Sequence, residues 1–249
     1  MALAGNGCVY LPRATPRPMP VVASTVGAPA AATLVVFLPG RGDRMEDFER
    51  EGLRAAMTQA GVRADWMAVD AHLGYYLNRS VVDALREDVL QPARARGYRR
   101  IVLVGVSLGG LGALLCARDA PGLVDALVLL APYLGDRAAF FAEVERAGGP
   151  VAWAAGRPGR ADDVAVELWT FLGQQHARLP PTWLGWGEGD RLAAGHRLLA
   201  PLLPGERVRV IAGGHTWPIW RELWRGLCEN SELFAGEKRV PADAIPSGR

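Results

Sequence analysis

The segment Ile101–Ala120 constrains the fold more than any other. An uninterrupted apolar run, Ile101–Val106 (IVLVGV), stops at Ser107 and passes without a loop into Leu108–Ala120, rich in small residues and helical in spacing. A strand that becomes a helix across one residue leaves no space for side chains at the crossing. The pentapeptide Gly105-Val106-Ser107-Leu108-Gly109 places glycine where that crowding falls, and Gly110 and Gly112 extend the close approach of helix to strand. A strand that is apolar throughout is buried on both faces, so it belongs to a sheet covered by helices on each side.

The rest of the chain repeats that alternation. Thr33–Leu38 (TLVVFL), Ala64–Val69, Asp125–Ala131, Thr182–Gly187 and Arg207–Ala212 read as further strands, with an early edge strand near Val21-Val22. Helical spacing is expected over Met45–Ala60, from a Ser80 cap through Val81, Leu85 and Val89 toward Gly97, and over Pro218–Asn230. The fold class is α/β, a mostly parallel sheet with helices on both faces. The expected organisation is an extended arm over residues 1–32, one domain over 33–234 and a polar tail over 235–249. The interval 132–181 is too long for a simple connection and reads as a small helical cap, with Asp162 and Asp163 as helix N-caps.

Composition narrows the function by exclusion. The chain has 249 residues and a net charge of only +2, with both signs interspersed, so no field steers nucleic acid to it. No apolar run is long enough to span a bilayer. Cys8, Cys116 and Cys228 are too far apart for a zinc site or a disulfide framework, and Cys116 and Cys228 read as buried fillers. No metal and no cofactor is expected, and a cytoplasmic location follows. The alternative is an exported lipoprotein, in which a longer precursor would place Cys8 at a lipidation site.

Ser107 at such a turn needs a base to take its proton and a third group to orient that base. Of four histidines, His72 follows a strand, His176 sits in the cap interval and His196 lies within helical spacing. His215 alone follows the last strand, behind the flexible pair Gly213-Gly214. Asp190, in Gly187-Glu188-Gly189-Asp190, falls between Ser107 and His215 in chain order, with Glu188 as its neighbouring rival. The Leu108 N–H and the Arg41 N–H, or Gly42 in its place, are the candidate oxyanion donors. They lie at a helix start and in the loop Pro39-Gly40-Arg41-Gly42-Asp43. Gly40, Gly42, His72, Tyr75, Tyr76 and Trp217 are candidate pocket residues. Trp153, Trp169, Trp186, Trp217 and Trp220 either line that pocket, favouring an apolar acyl or alcohol group, or belong to the core.

From about Thr33 to Asn230 the sequence resembles the α/β-hydrolase superfamily, on the elbow Gly105–Gly109, the acid loop Gly187–Asp190 and the loop Gly213-Gly214-His215. The segment GVSLGG with Gly214-His215-Thr216-Trp217 resembles its small bacterial serine esterase and acyl-hydrolase branch. The resemblance implies a Ser107–His215–Asp190 triad that cleaves a carboxylic ester of a small acyl substrate through an acyl-enzyme. Thioesterase or lactonase activity on the same triad, or ligand binding without catalysis, are the alternatives. Pro39-Gly40 stands where many relatives carry His-Gly.

Overall fold

The computed structural model describes residues 13–25, 30–159, 161, 163–230 and 232–234. Much of the expected arm, the polar tail, Cys8 and Asp162 lie outside them. In chain order the elements are β1 (Val21–Ala23), β2 (Thr33–Leu38), α1 (Asp47–Arg50), α2 (Leu53–Gln59), β3 (Asp65–Val69), α3 (Leu73–Leu77) and α4 (Val81–Ala84). Then come α5 (Gln91–Ala95), β4 (Arg100–Val106), α6 (Leu108–Asp119), β5 (Ala126–Leu130), α7 (Ala138–Arg146), α8 (Pro150–Ala154) and α9 (Val164–Gln175). The last are β6 (Thr182–Gly187), α10 (Ala193–Leu199), β7 (Val208–Ile211) and α11 (Trp217–Asn230).

Among the described residues the strands form one sheet in the order β1-β3-β2-β4-β5-β6-β7, parallel except for β1, which pairs antiparallel with β3. Every residue of β2 is buried, because alternate side chains feed two different helical layers. Phe37 stacks on Phe48 of α1 and meets Trp224 of α11 edge-on, whereas Leu38 faces the backbone of α6 at Gly109. Trp224 also donates its indole N–H to the Leu53 carbonyl at 2.9 Å, tying α11 to α2.

From β2 the chain moves one way to β3 and returns to β4 on the other side, so the carboxyl ends of β2 and β4 flank a topological switch point, where open α/β sheets leave a crevice. The 132–181 interval holds α7, α8 and α9. Asp163 caps α9 as expected, its carboxylate accepting from the Ala165 and Val166 N–H groups at 2.8 and 3.2 Å.

Three local expectations are corrected. The Met45–Ala60 helix is broken into α1 and α2 by Gly52, which takes a left-handed conformation. The helix after Ser80 is regular only over four residues, then runs as a π-helix over Leu85–Leu90 before α5. Pro92 lacks the N–H that would bond the Asp88 carbonyl, and its ring crowds that carbonyl, so the ladder shifts register. Ser80 does not cap: its hydroxyl lies 2.6 Å from Asn78 Oδ1, in a turn where Arg79 has φ 59°. Most of the tryptophans are core residues: Trp153, Trp169, Trp186 and Trp220 are buried. No helix of the described residues is long and apolar enough to cross a membrane.

Candidate active site

Ser107 sits between β4 and α6 with φ 50° and ψ −112°, a conformation few non-glycine residues adopt. Three backbone bonds brace it: its N–H donates to the Leu130 carbonyl at 2.9 Å, and its carbonyl accepts from the Tyr133 and Gly110 N–H groups at 2.7 and 3.0 Å. The flanking glycines explain how the chain passes. A Cβ on Gly105 would lie 2.4 Å from the Gly109 carbonyl oxygen, and one on Gly109 would lie 2.1 Å from that of Leu38. A Cβ on Gly110 would meet the Pro132 ring at 2.5 Å. Any side chain at these positions would push α6 off the sheet.

The strands deliver three side chains to one point. Asp190 follows β6 in a turn closed by its own N–H to the Gly187 carbonyl, 2.9 Å away. His215 follows β7 by way of Gly213, at φ 128°. At Gly187 the two loops meet backbone to backbone: a Cβ there would lie 2.4 Å from the Gly213 carbonyl oxygen. His215 Nδ1 is 2.8 Å from Asp190 Oδ2, and His215 Nε2 is 2.8 Å from Ser107 Oγ. Burial pushes the Asp190 carboxyl up, but the His215 bond and the Leu192 N–H, 2.8 Å from Oδ1, outweigh it and hold the group below its ordinary value. An ionised carboxylate only accepts, so Nδ1 must carry the imidazole proton and Nε2 is left as acceptor for the serine hydroxyl. Such an array can draw a proton from Ser107 onto Nε2, with the Asp190 carboxylate beside the imidazolium that forms. Glu188, the rival acid, is exposed and makes no bond to His215 among those described.

The loop after β2 lies against the serine. A Cβ on Gly40 would come within 3.4 Å of the Ser107 Cβ. The Asp43 N–H bonds the Gly40 carbonyl at 3.2 Å, and Gly42 takes φ 90°, the geometry of a type II turn with Arg41 and Gly42 at its corners. Asp43 accepts the Trp217 indole N–H at 3.1 Å and so joins this loop to the one carrying His215. Burial raises the Asp43 carboxyl, and the Trp217 bond partly offsets that. Leu108 is the first residue of α6, so its N–H has no acceptor within the helix.

The pocket candidates separate. Tyr76 lines a cavity of about 940 Å³ that opens at Ser107 and is also lined by Arg41, Leu111, Leu115, Tyr133 and Arg191. The Tyr76 hydroxyl is buried against Gly112 with no hydrogen-bond partner among the described residues, and that burial raises its pKa. Trp217 lines a smaller neighbouring cavity with His215. His72 and Tyr75 line neither. His72 caps α3 by accepting the Gly74 N–H and lies 3.1 Å from the Ala14 carbonyl, while the Tyr75 hydroxyl donates to the Pro16 carbonyl at 2.7 Å. Both fasten residues 14–16 to the sheet's edge. Sequence reasoning passed over Leu111, Leu115 and Arg191. The first two follow Leu108 at helical spacing, a legible signal, whereas nothing local marks Arg191.

Residues 29–224 match the family model Esterase, described as "Putative esterase". No curated protein matches the chain. The structure is similar to that of an arylesterase, with a TM-score of 0.55 at 18% identity over 85% of this chain and 79% of that one. It is also similar to a hyperthermophilic esterase from the archaeon Pyrobaculum calidifontis, with a TM-score of 0.54 at 19% identity over 84% and 79% of the two chains. An S-formylglutathione hydrolase from Staphylococcus aureus gives 0.55 at 13% identity over 82% of each chain. At these identities the likeness is one of fold.

Proposed function

The chain belongs to the Esterase family, has the α/β-hydrolase fold and is a hydrolase of the ester-bond class, and from that premise we propose that it cleaves carboxylic esters through an acyl-enzyme on Ser107. His215 Nε2 takes the hydroxyl proton as Ser107 Oγ bonds to the ester carbonyl carbon. The carbonyl oxygen becomes an oxyanion, held by the N–H groups of Leu108 and Arg41; losing one such donor typically costs about 100- to 1000-fold in rate. Collapse of the intermediate breaks the bond to the alcohol oxygen, which leaves with the proton from His215. Water then attacks the acyl-enzyme, giving one proton to His215, and Ser107 recovers its proton as the carboxylic acid departs. Asp190 stays ionised throughout and holds the imidazole in the tautomer that accepts from serine.

The observation that carries this reading is the pair of 2.8 Å contacts running Asp190–His215–Ser107 at a strained elbow. The 132–181 interval acts as the cap of the expected domain, supported by Tyr133 ahead of α7 and by Val164 and Glu167 of α9, which line the cavity at Ser107. The test is labelling by a fluorophosphonate with turnover of p-nitrophenyl esters. The wild-type protein should label and hydrolyse; Ser107→Ala should lose the label and at least about a thousandfold in kcat. Undiminished activity in Ser107→Ala refutes the assignment.

A further inference from the structure

The cavity at Ser107 is elongated along α6. Leu108, Leu111 and Leu115 all line it, at the spacing of one helical stripe, and Arg118 and Asp119 lie one turn further on the same side. The opposite face of the helix, with Gly109 and Gly110, is pressed on β2 and β5's following turn, so the stripe looks away from the sheet. Leu77 and Val82 line it from α3 and α4 and Val164 from α9, and Arg41, Arg79, Asp136 and Arg191 border it as well. Leu77 remains 61% exposed at the rim, an apolar side chain left uncovered by the described residues.

The far end is different. Arg118 makes two bonds to Asp119, at 2.6 and 2.7 Å, and lies 3.5 Å from Glu167. Arg86 pairs with Asp83 at 2.8 Å and with Glu87 at 2.7 Å. Of the residues lining this end, two guanidiniums thus face three carboxylates, Asp83, Asp119 and Glu167, while Glu87 is shared with Arg17 at 2.9 Å. An alkyl terminus carried this far would have to desolvate these ion pairs.

We propose that this groove holds the acyl chain of the substrate along its leucine stripe and selects linear medium-length chains. The inference rests on Ser107 as nucleophile, because the chain begins at the acylated oxygen. Eight residues separate Ser107 from Leu115, so the apolar stripe spans about 12 Å, matching an extended chain of about nine or ten carbons. Each methylene laid along it leaves water for an apolar wall. The expected gain in kcat/KM is about two- to fourfold per carbon up to that length, and the charged end stops the gain beyond it.

The experiment is a p-nitrophenyl ester series from acetate to palmitate, run on the wild-type protein, Val82→Trp and Val164→Trp. Wild-type kcat/KM should rise to a maximum near octanoate or decanoate and then level or fall. Each tryptophan narrows the groove from a different wall, so the decanoate-to-acetate ratio should drop at least tenfold in whichever variant folds, wherever the absolute rates settle. A wild-type optimum at acetate or butyrate, or a ratio unmoved by both substitutions, overturns the groove assignment while leaving the triad intact. Failure to hydrolyse any member of the series overturns the triad reading, and this one with it.

Discussion

His196 is the group whose titration the fold penalises most clearly. Its side chain on α10 is fully buried, and its Nε2–H donates to the Pro132 carbonyl at 2.9 Å. That leaves Nδ1 as an unprotonated nitrogen with no hydrogen-bond partner among the described residues, beside the Trp186 ring at 5.5 Å. Charging the ring would place a second N–H with no acceptor in an apolar setting. Burial therefore pushes its pKa from 6.5 down to about 4, although the Pro132 bond and Asp190 pull upward, while His215 and Arg197 add to the lowering. In the unfolded chain the imidazole takes its proton near pH 6.5, whereas the native protein resists until about pH 4, so the unfolded state binds more protons across that window. Stability is complete above the unfolded pKa and is lost as pH falls toward 4. A depression from 6.5 to about 4, at 1.36 kcal/mol per pKa unit, amounts to about 3 kcal/mol. Urea unfolding followed by tryptophan fluorescence between pH 7.5 and 4 measures it, with His196→Gln as reference. Glutamine retains an N–H for Pro132 but does not titrate in this range. The wild-type protein should lose about 3 kcal/mol more than the variant over that interval. His72, also lowered by burial, acts with the same sign in both proteins and cancels in the difference. Parallel curves for the two proteins would refute the reasoning.

Gly109→Ala tests the close approach at the elbow: its Cβ would sit 2.1 Å from the Leu38 backbone oxygen at the end of β2, and neither partner is free to move. A loss of about 3 kcal/mol, or about 6–12 °C in Tm by calorimetry, is expected, and an unchanged Tm would contradict it. Tyr75→Phe removes the bond to the Pro16 carbonyl. Freed of it, residues 13–16 should open more often, and tryptic cleavage after Arg13 should quicken about tenfold, as the loss of about 1.4 kcal/mol implies. An unaltered cleavage rate would show that the hydroxyl does not hold this segment.

The sequence by itself determined what depends on neighbours in the chain. The strand–serine–helix crossing was legible because its glycines are demanded by sterics within a few residues, and β2 and β4 because a strand buried on both faces must be apolar throughout. The same logic isolated His215, the histidine that follows the last strand behind two glycines. Between groups of equal chemistry it put Asp190 ahead of Glu188 on chain order, but the geometric reason lies in the fold. Asp190 rather than Glu188 faces His215 because the turn closing on the Gly187 carbonyl aims one carboxylate inward and leaves the other in solvent. His72 and Tyr75 follow a strand's catalytic end, as pocket residues should, yet they bind residues 14–16, nearly sixty positions earlier. The groove along α6 shows both limits at once. Its leucine stripe is written at helical spacing, but its walls come from α3, α4 and α9, and its length is set by ion pairs between Arg118 and Glu167, far apart in the chain. Local sterics and hydropathy act between adjacent residues and can be read in order. Which surfaces close on one another is settled only when the sheet brings distant segments together.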